Sequence, residues 1–356
     1  MTVEEELRDA FARHEALAPP VGPLRAAIDR LVVRRRRRRR RLTVGATALA
    51  VLGLLAVTVP QVVPTPGGRA VTGALTGGTP EAVPGGALNV LLLGVDGTAR
   101  EPARRAYSVL LVHVPADRSR LYLVSFPRDL EVSIPGHGTD KLNAAFLFGA
   151  GVERPDLGRG LELTSRTVTG LTGLRPDAGA VLTYPVLREL TDTLDGVEVC
   201  LPGEVRSAHS GRVFRAGCQH LGGAASVDLL RQRVGLPDGG LDRDRNAQLF
   251  AAGLIRRAGE QGVLHDPVRL SRLWGTIGSD AAVAGNGTSL LTLLRVVPEL
   301  DSAEPVGLSL PVGVPMGLDR SLRPDPAATP EFLAALREDR LDRWVAAHPD
   351  RVTRLR

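Results

Sequence analysis

Three short apolar runs lie near one another in the chain and constrain its fold more than any other feature. They are Leu88–Gly94, Ser108–Val114 and Leu121–Ser125, each rich in Val and Leu and of a length typical of strands. Because none alternates regularly between apolar and polar residues, we predict strands that are buried on both faces of a sheet. Charged residues follow them, Asp96 after the first run and Arg128 after the third. Since ligands of open α/β sheets tend to bind where strands end, this grouping predicts a site for a phosphorylated ligand.

The N-terminal region has the pattern of a membrane anchor. Residues 1–41 end in eight consecutive arginines, Arg34–Arg41, and are predicted to form an Arg-rich cytoplasmic arm. Residues 42–63 carry no charge and are long enough to cross a bilayer as a single transmembrane helix. Arginine directly before a span favours a cytoplasmic N-terminus and an extracytoplasmic C-terminus, which predicts a single-pass protein of the cell membrane. A cleaved signal peptide is the alternative interpretation, although its charged region would be unusually long and its start unusually late.

Composition divides the rest of the chain into three parts. Residues 64–87 are rich in Pro and Gly and poor in large apolar side chains, which predicts a linker. An extracytoplasmic domain is predicted for residues 88–340 and a C-terminal tail for residues 341–356. Within the domain, helix-like and strand-like runs predict an α/β fold in which helices flank a central, mostly buried β-sheet. The predicted helices are Leu142–Phe148, Leu161–Leu171, Val186–Leu194, Val227–Arg233, Arg245–Arg257, Leu290–Val297 and Pro330–Leu336, and two further predicted strands are Ala178–Thr183 and Val197–Leu201.

The excess positive charge is confined to the N-terminal arm. The chain has 45 basic and 39 acidic residues, and residues 1–41 contain twelve of the arginines and six of the acids. The rest of the chain, with 33 of each, is neutral overall. A general nucleic-acid-binding surface is therefore not expected, whereas the arginine run is suited to contact anionic membrane lipids.

Cys200 and Cys218 are the only cysteines of the chain. Both follow the predicted membrane span and are expected on its oxidising side, so we predict a disulfide between them. Metal binding by two isolated cysteines is not expected.

Six short motifs occur in a fixed order between about residues 88 and 260. They are LLLGVD at Leu91–Asp96, VSFPRD at Val124–Asp129, DKLNAAF at Asp140–Phe146, DGVEVCLP at Asp195–Pro202, LLRQR at Leu229–Arg233 and LDRDRNAQLF at Leu241–Phe250. In this order and at roughly this spacing, the motifs resemble those of the LytR-CpsA-Psr family of bacterial cell-wall phosphotransferases. The resemblance implies transfer of a glycopolymer from a polyprenyl-pyrophosphate carrier to a peptidoglycan acceptor, outside the membrane and usually with Mg.

The resemblance also implies which residues bind the pyrophosphate. Arginine binds phosphate with paired hydrogen bonds and stays charged, which suits both recognition of the substrate and stabilisation of the transition state. The implied site comprises Arg105, Arg128, Lys141, Arg231, Arg233 and Gln248, and its four arginines are also catalytic candidates.

Other residues near these motifs receive more specific interpretations. Asp96 follows a predicted buried strand and is the candidate catalytic ligand for Mg, a cation that prefers oxygen ligands. Asp129 and Asp242 are interpreted as ion-pair partners of their neighbours Arg128 and Arg243. Six apolar residues that could line a slot for the lipid tail are interpreted as ordinary core: Leu142, Phe146, Phe148, Leu249, Phe250 and Leu254.

The chain departs from the family pattern at two places in the expected metal site. The family usually has a second acid two residues after an arginine, but Tyr107 stands at that position after Arg105. Thr98 stands where the family usually has an arginine. Because a tyrosine side chain is neutral at ordinary pH, the metal site has one carboxylate fewer. Two alternatives to an active transferase stay open. The departures at Tyr107 and Thr98 suggest a catalytically impaired protein that binds polyprenyl phosphates or pyrophosphates, and the arginine run Arg34–Arg41 suggests a membrane-bound regulator.

Overall fold

The three apolar runs form adjacent antiparallel strands in the middle of the main sheet, β1 (Leu88–Val95), β2 (Ala106–Val114) and β3 (Leu121–Ser125). The computed structural model describes residues 85–96, 105–153, 155–263, 281–285, 305–313 and 321–355. All of these belong to one compact unit that spans Gly67–Arg356.

Helices and shorter strands complete the described part of the fold. After β3 the chain forms β4 (Glu131–Ile134), β5 (Gly138–Lys141), α1 (Leu142–Ala150), α2 (Leu157–Thr172), β6 (Ala178–Thr183), α3 (Tyr184–Thr193), β7 (Val197–Leu201), β8 (Val205–Arg206), β9 (Val213–Phe214), β10 (Gly217–Leu221), α4 (Gly223–Arg231) and α5 (Gly240–Glu260). They are followed by β11 (Ala281–Gly285), β12 (Pro305–Ser309), α6 (Ala328–Arg337), α7 (Leu341–Ala347) and β13 (Val352–Arg354). The two further predicted strands have the predicted bounds, whereas α4 begins four residues before its predicted start.

The main sheet is mixed rather than parallel. Its strand order is β11-β6-β1-β2-β3-β12-β13. The pairs β1–β6 and β3–β12 are parallel, and the other four pairs are antiparallel. β13 pairs with β12 through Val306 and Arg354. Part of the segment 341–356, which composition suggests as a tail, therefore belongs to this sheet.

Both faces of the sheet are covered by helices. Leu91 and Leu93 point into one apolar cluster, which also contains side chains of α1, α2, α6 and α7. Leu110 and Leu123 point into a second cluster, which contains side chains of α3, α4 and α5. Because alternate residues of a strand face opposite sides, burial on both faces explains why the apolar runs lack polar alternation. The prediction of a central, mostly buried sheet flanked by helices is confirmed.

Several sequence predictions lie outside the described residues. They are the cytoplasmic arm at 1–41, the span at 42–63, most of the linker and the helix-like run Leu290–Val297. Within the described ranges, no helix combines the length and apolar composition that crossing a membrane requires.

Candidate functional site

The antiparallel pairing of β1, β2 and β3 gathers three chain segments at one end of the sheet. The C-terminal end of β1 meets the N-terminal end of β2, because Val95 pairs with Ala106. The N–H of Phe126 donates to the carbonyl of Val109 at 2.9 Å, which brings the end of β3 beside the start of β2. Asp96 follows β1, Arg105 precedes β2 and Arg128 follows β3, so all three lie at this end of the sheet.

Helix α1 begins against the loop that follows β3. The N–H groups of Leu142 and Asn143 donate to the carbonyls of Leu130 and Arg128 at 2.8 and 3.0 Å. The buried Asn143 amide donates to Asp129 Oδ1 at 3.3 Å, and its oxygen accepts from Arg105 Nη1 at 3.0 Å. These bonds hold the side chains of the VSFPRD and DKLNAAF motifs side by side.

Asp129 is the carboxylate that the cations surround. Its oxygens lie 3.8 Å from Arg128 Nε, 3.8 Å from Lys141 Nζ and 3.9 Å from Arg233 Nη2. A second carboxylate, Asp140, lies 3.8 Å from Arg105 Nη1. The interpretation of Asp129 as an ion-pair partner of Arg128 is confirmed, and one acid is shared among three cations.

The C-terminal end of α4 adds two further arginines. Gln232, which caps this helix, is fully buried, and its side-chain oxygen accepts from the N–H of Ala208 at 2.8 Å. The Gln232 amide also donates to the carbonyl of Val234. Because backbone around Gln232 is extended, Arg231 and Arg233 on either side of it point away from the core and are exposed.

Arg243 of α5 is a sixth cation of this region, although its sequence context predicts only an ion pair with Asp242. It is 4 % exposed, and its Nε and Nη2 have no hydrogen-bond partner in the described part of the chain. Asp242, its expected partner, instead bonds Arg245, so that prediction is wrong. Helical spacing could have revealed Arg243, because it lies four and seven residues before the buried Ala247 and Phe250.

Burial and crowding perturb the ionisation of this region. Burial lowers the pKa of Arg128, and the like charge of Arg243 lowers it further. Burial also raises the pKa of Asp244 from its ordinary 3.8 to about 7, although Arg243 Nη2 lies 3.6 Å from its Oδ1.

Six cations of this region are referred to as the cationic cluster: Arg105, Arg128, Lys141, Arg231, Arg233 and Arg243. Four carboxylates accompany them, those of Asp96, Asp129, Asp140 and Asp244. The cluster therefore retains excess positive charge suited to a multiply charged anion.

Tyr107 fills the place where the family pattern has an acid. It is buried, and its ring stacks on that of Tyr184 with centroids 4.4 Å apart. Burial raises the pKa of Tyr107 well above its ordinary value, and the nearby charge of Asp96 raises it further, so the phenol is neutral. Among the described residues, Asp96 is thus the carboxylate next to Tyr107, and Mg bound by this one carboxylate would need further oxygen ligands from substrate phosphates and water.

Gln248 occupies a different environment from the cations. Its side chain is fully buried, and its amide nitrogen donates to the carbonyls of Leu123 and Leu308 at 3.0 and 2.6 Å. These bonds tie α5 to the parallel neighbours β3 and β12. Among the described hydrogen bonds, none joins Gln248 to the cationic cluster, and its implied role in pyrophosphate binding stays a prediction.

Two structural predictions concern residues outside the cluster. Cys200 of β7 pairs with Cys218 of β10, and the two form a disulfide in the structure. Four of the six apolar residues interpreted as core are at most 4 % exposed: Leu142, Phe146, Leu249 and Phe250. Phe148 is 37 % exposed and stacks on His137 instead.

Fold and site together define a class of protein: an α/β protein in which a cationic cluster lies at the strand ends of a mixed sheet. The LytR_cpsA_psr family model matches residues 72–305. The chain therefore belongs to the LytR-CpsA-Psr family, as its motifs predict.

Individual relatives agree with this assignment. The chain is 29% identical over 221 residues to the cell wall biosynthesis protein LcpA of Corynebacterium glutamicum, covering 58% of this chain and 42% of LcpA. It is 30% identical over 175 residues to the polyisoprenyl-teichoic acid–peptidoglycan teichoic acid transferase TagU of Oceanobacillus iheyensis, covering 48% of this chain and 52% of TagU. The matched region thus spans about half or less of each relative.

A solved structure shares the fold. TagT bound to LIIa-WTA superposes with a TM-score of 0.56 at 22% identity, over 76% of this chain and 96% of TagT.

Proposed function

We propose that this protein is a membrane-anchored phosphotransferase that moves a glycopolymer from a polyprenyl-pyrophosphate carrier to peptidoglycan during cell-wall assembly. Family membership supports the proposal, as does the similarity to the cell wall biosynthesis protein LcpA and the teichoic acid transferase TagU. The cationic cluster supports it independently, since a pyrophosphate bridge places two negative charges next to each other.

The observation that carries the proposal is the buried Arg243. Two of its nitrogens, Nε and Nη2, and the Nε of Arg128 have no acceptor in the described residues. Leaving a buried donor without a partner costs about 1–3 kcal/mol, and more for a charged group. A pyrophosphate anion at the cluster would offset the repulsion between Arg128 and Arg243, and small side-chain movements would let it accept hydrogen bonds from these donors.

The cluster suits displacement at phosphorus. The acceptor hydroxyl attacks the phosphorus that bears the glycan, the bond to the bridging oxygen breaks, and polyprenyl phosphate leaves. Arginines and Lys141 would hold the phosphate oxygens in line for attack and stabilise the charge of the leaving group. Mg bound by Asp96 and substrate oxygens would supply further charge neutralisation.

The membrane provides the setting of the proposed reaction. A helix at residues 42–63 would anchor the chain, with Arg34–Arg41 on the cytoplasmic side against anionic lipids. The folded unit would then face the extracytoplasmic space, where the lipid-linked glycan and peptidoglycan meet.

Turnover of a defined lipid-linked glycan tests the proposal. The full chain in detergent is mixed with a polyprenyl-pyrophosphate glycan and a peptidoglycan acceptor, with and without Mg, and release of polyprenyl phosphate is measured. We expect Mg-dependent release by the natural protein and loss of release in Arg128→Gln. Arg245→Gln, a change of the same kind outside the cluster, serves as the matched control.

A second function is favoured by the neutral Tyr107. In that case the protein binds polyprenyl phosphates or pyrophosphates without turning them over. Tyr107→Asp is assayed beside the natural protein: if only the variant releases polyprenyl phosphate, the binding function is correct and the transferase proposal is wrong.

A further inference from the structure

Three side chains from separate elements form one column that ends in Arg231 of the cationic cluster. The rings of Tyr107 and Tyr184 stack at 4.4 Å with an angle of 18° between their planes. The guanidinium carbon of Arg231 lies 5.5 Å from the centroid of the Tyr184 ring. Such a distance is within the range of a cation–π interaction.

The backbone of β1 makes room for the first ring. A Cβ added at Gly94 would lie 2.4 Å from Tyr107 Cζ, so only glycine allows the Tyr107 ring to lie against this strand. The register shifts between Gly94 and Val95, which places Tyr107 at the irregularity opposite them. A ring enclosed in this way is fixed in position and gives Tyr184 a rigid support.

Helices α3 and α4 fix the other two members. Tyr184 is the first residue of α3, directly after β6, and Arg231 is the last residue of α4. The two helices approach closely at Gly223, whose N–H donates to Asp192 Oδ1 at 2.7 Å and whose Cβ position lies 2.2 Å from the Arg188 carbonyl oxygen. Since the helices are locked together, the distance between Tyr184 and Arg231 is set by the fold.

Arg231 has no other charge partner within the described ranges. No carboxylate described there forms an ion pair with it, whereas Arg233 and Lys141 both face Asp129. Arg231 is exposed, and a guanidinium binds phosphate through the N–H groups at its edge, which stacking of its face on Tyr184 does not block. Burial raises the pKa of Tyr184, which keeps its phenol neutral next to Asp96.

We propose that Tyr184, supported by Tyr107, is a positioning residue that holds the Arg231 guanidinium against the pyrophosphate. This inference rests on the proposed pyrophosphate site. An arginine on an exposed helix end otherwise samples many rotamers, and ordering it on an aromatic face reduces the entropy lost when the anion binds.

Binding of geranyl pyrophosphate to the full chain tests the inference. Calorimetry in detergent gives the Kd for the natural protein, Tyr184→Leu and Tyr184→Phe. We expect Tyr184→Leu to raise Kd by about tenfold, because leucine keeps apolar volume but has no π face, and Tyr184→Phe to restore affinity. Adding Arg231→Gln to Tyr184→Leu should raise Kd no further than Arg231→Gln alone, since both remove one interaction.

Tyr122 provides a matched control for loss of stability. It is the one tyrosine of the chain besides Tyr107 and Tyr184, and it is buried on β3 with its ring near that of His113. Tyr122→Leu should lower the melting temperature but leave Kd unchanged. If Tyr184→Leu also leaves Kd unchanged while the natural protein binds, the positioning inference is wrong. If the natural protein does not bind geranyl pyrophosphate at all, the proposed function and the inference are both wrong.

Discussion

Replacing Arg243 should weaken binding of the pyrophosphate ligand, whereas the same replacement at its neighbour Arg245 should not. A charge-assisted hydrogen bond contributes about 1.5–3 kcal/mol, so we expect Arg243→Gln to raise the Kd for geranyl pyrophosphate by roughly 10- to 100-fold. Arg245→Gln is the control, because Arg245 lies two residues away on α5 and pairs with Asp238 at 3.0 Å. Calorimetry on both variants measures the difference, and equal affinities would show that Arg243 has only a structural role.

Asp244 should make the stability of the folded state depend on pH. Its pKa is raised from 3.8 to about 7 by burial, so the folded state binds the proton more tightly than the unfolded state. The resulting stabilisation is complete below about pH 4 and is lost as the pH rises through about 7. As the pH rises from about 4 to about 7, we therefore expect the free energy of unfolding of the natural protein to fall relative to that of Asp244→Asn. Well above pH 7 the difference between the two proteins should stay constant.

Urea unfolding of both proteins at several pH values between 4 and 8, followed by circular dichroism, measures this difference. Subtracting the two profiles of unfolding free energy against pH cancels the contributions of the other titrating groups, because both proteins share them. A difference that is constant with pH would contradict the raised pKa.

At the scale of elements, the disulfide joins two strands that form a sheet of their own. Cys200 and Cys218 face each other in the β7–β10 pair and lie 18 positions apart in the chain. In the chain-entropy model a loop of this size contributes about 3 kcal/mol. Replacing both cysteines with serine should lower the free energy of unfolding by about this amount.

Reductant provides the control for this prediction. It should lower the stability of the natural protein to that of the double variant and leave the variant unchanged. If reductant affects both equally, the loss has another cause.

The elements that sequence patterns predict best are those with strong apolar periodicity. β3, β6 and β7 have the predicted bounds, since β3 is buried throughout and β6 and β7 alternate between buried and less buried residues. The β4–β5 hairpin was not predicted, since Gly138–Lys141 contains no apolar residue and depends on its partner strand. Likewise, the motifs identify most cations of the cluster, but Arg243 depends on which face of α5 is buried, and the Tyr107–Tyr184 column depends on contacts between distant segments.

At the scale of the whole molecule, charge is divided between a basic N-terminus and a neutral remainder. Arg34–Arg41 followed by residues 42–63 predicts that the folded unit is exported, and a disulfide is the bond expected in an oxidising space. In cells, Cys200 and Cys218 should therefore resist alkylation until they are reduced, and protease added outside should digest the folded unit. Replacing Arg34–Arg41 with serines should leave a fraction of the chains inverted, with free cysteines and protection from protease.

Deleting residues 1–33 while keeping the arginine run is the matched control for this topology. If the arginines act only by the positive-inside effect, the truncated chain should keep its orientation, its disulfide and its transferase activity. Reduced, protease-protected cysteines in the natural protein would contradict the export of the folded unit. A truncated chain that is correctly oriented but inactive would instead show that residues 1–33 act on a cytoplasmic partner, and the regulatory alternative would gain its first direct support.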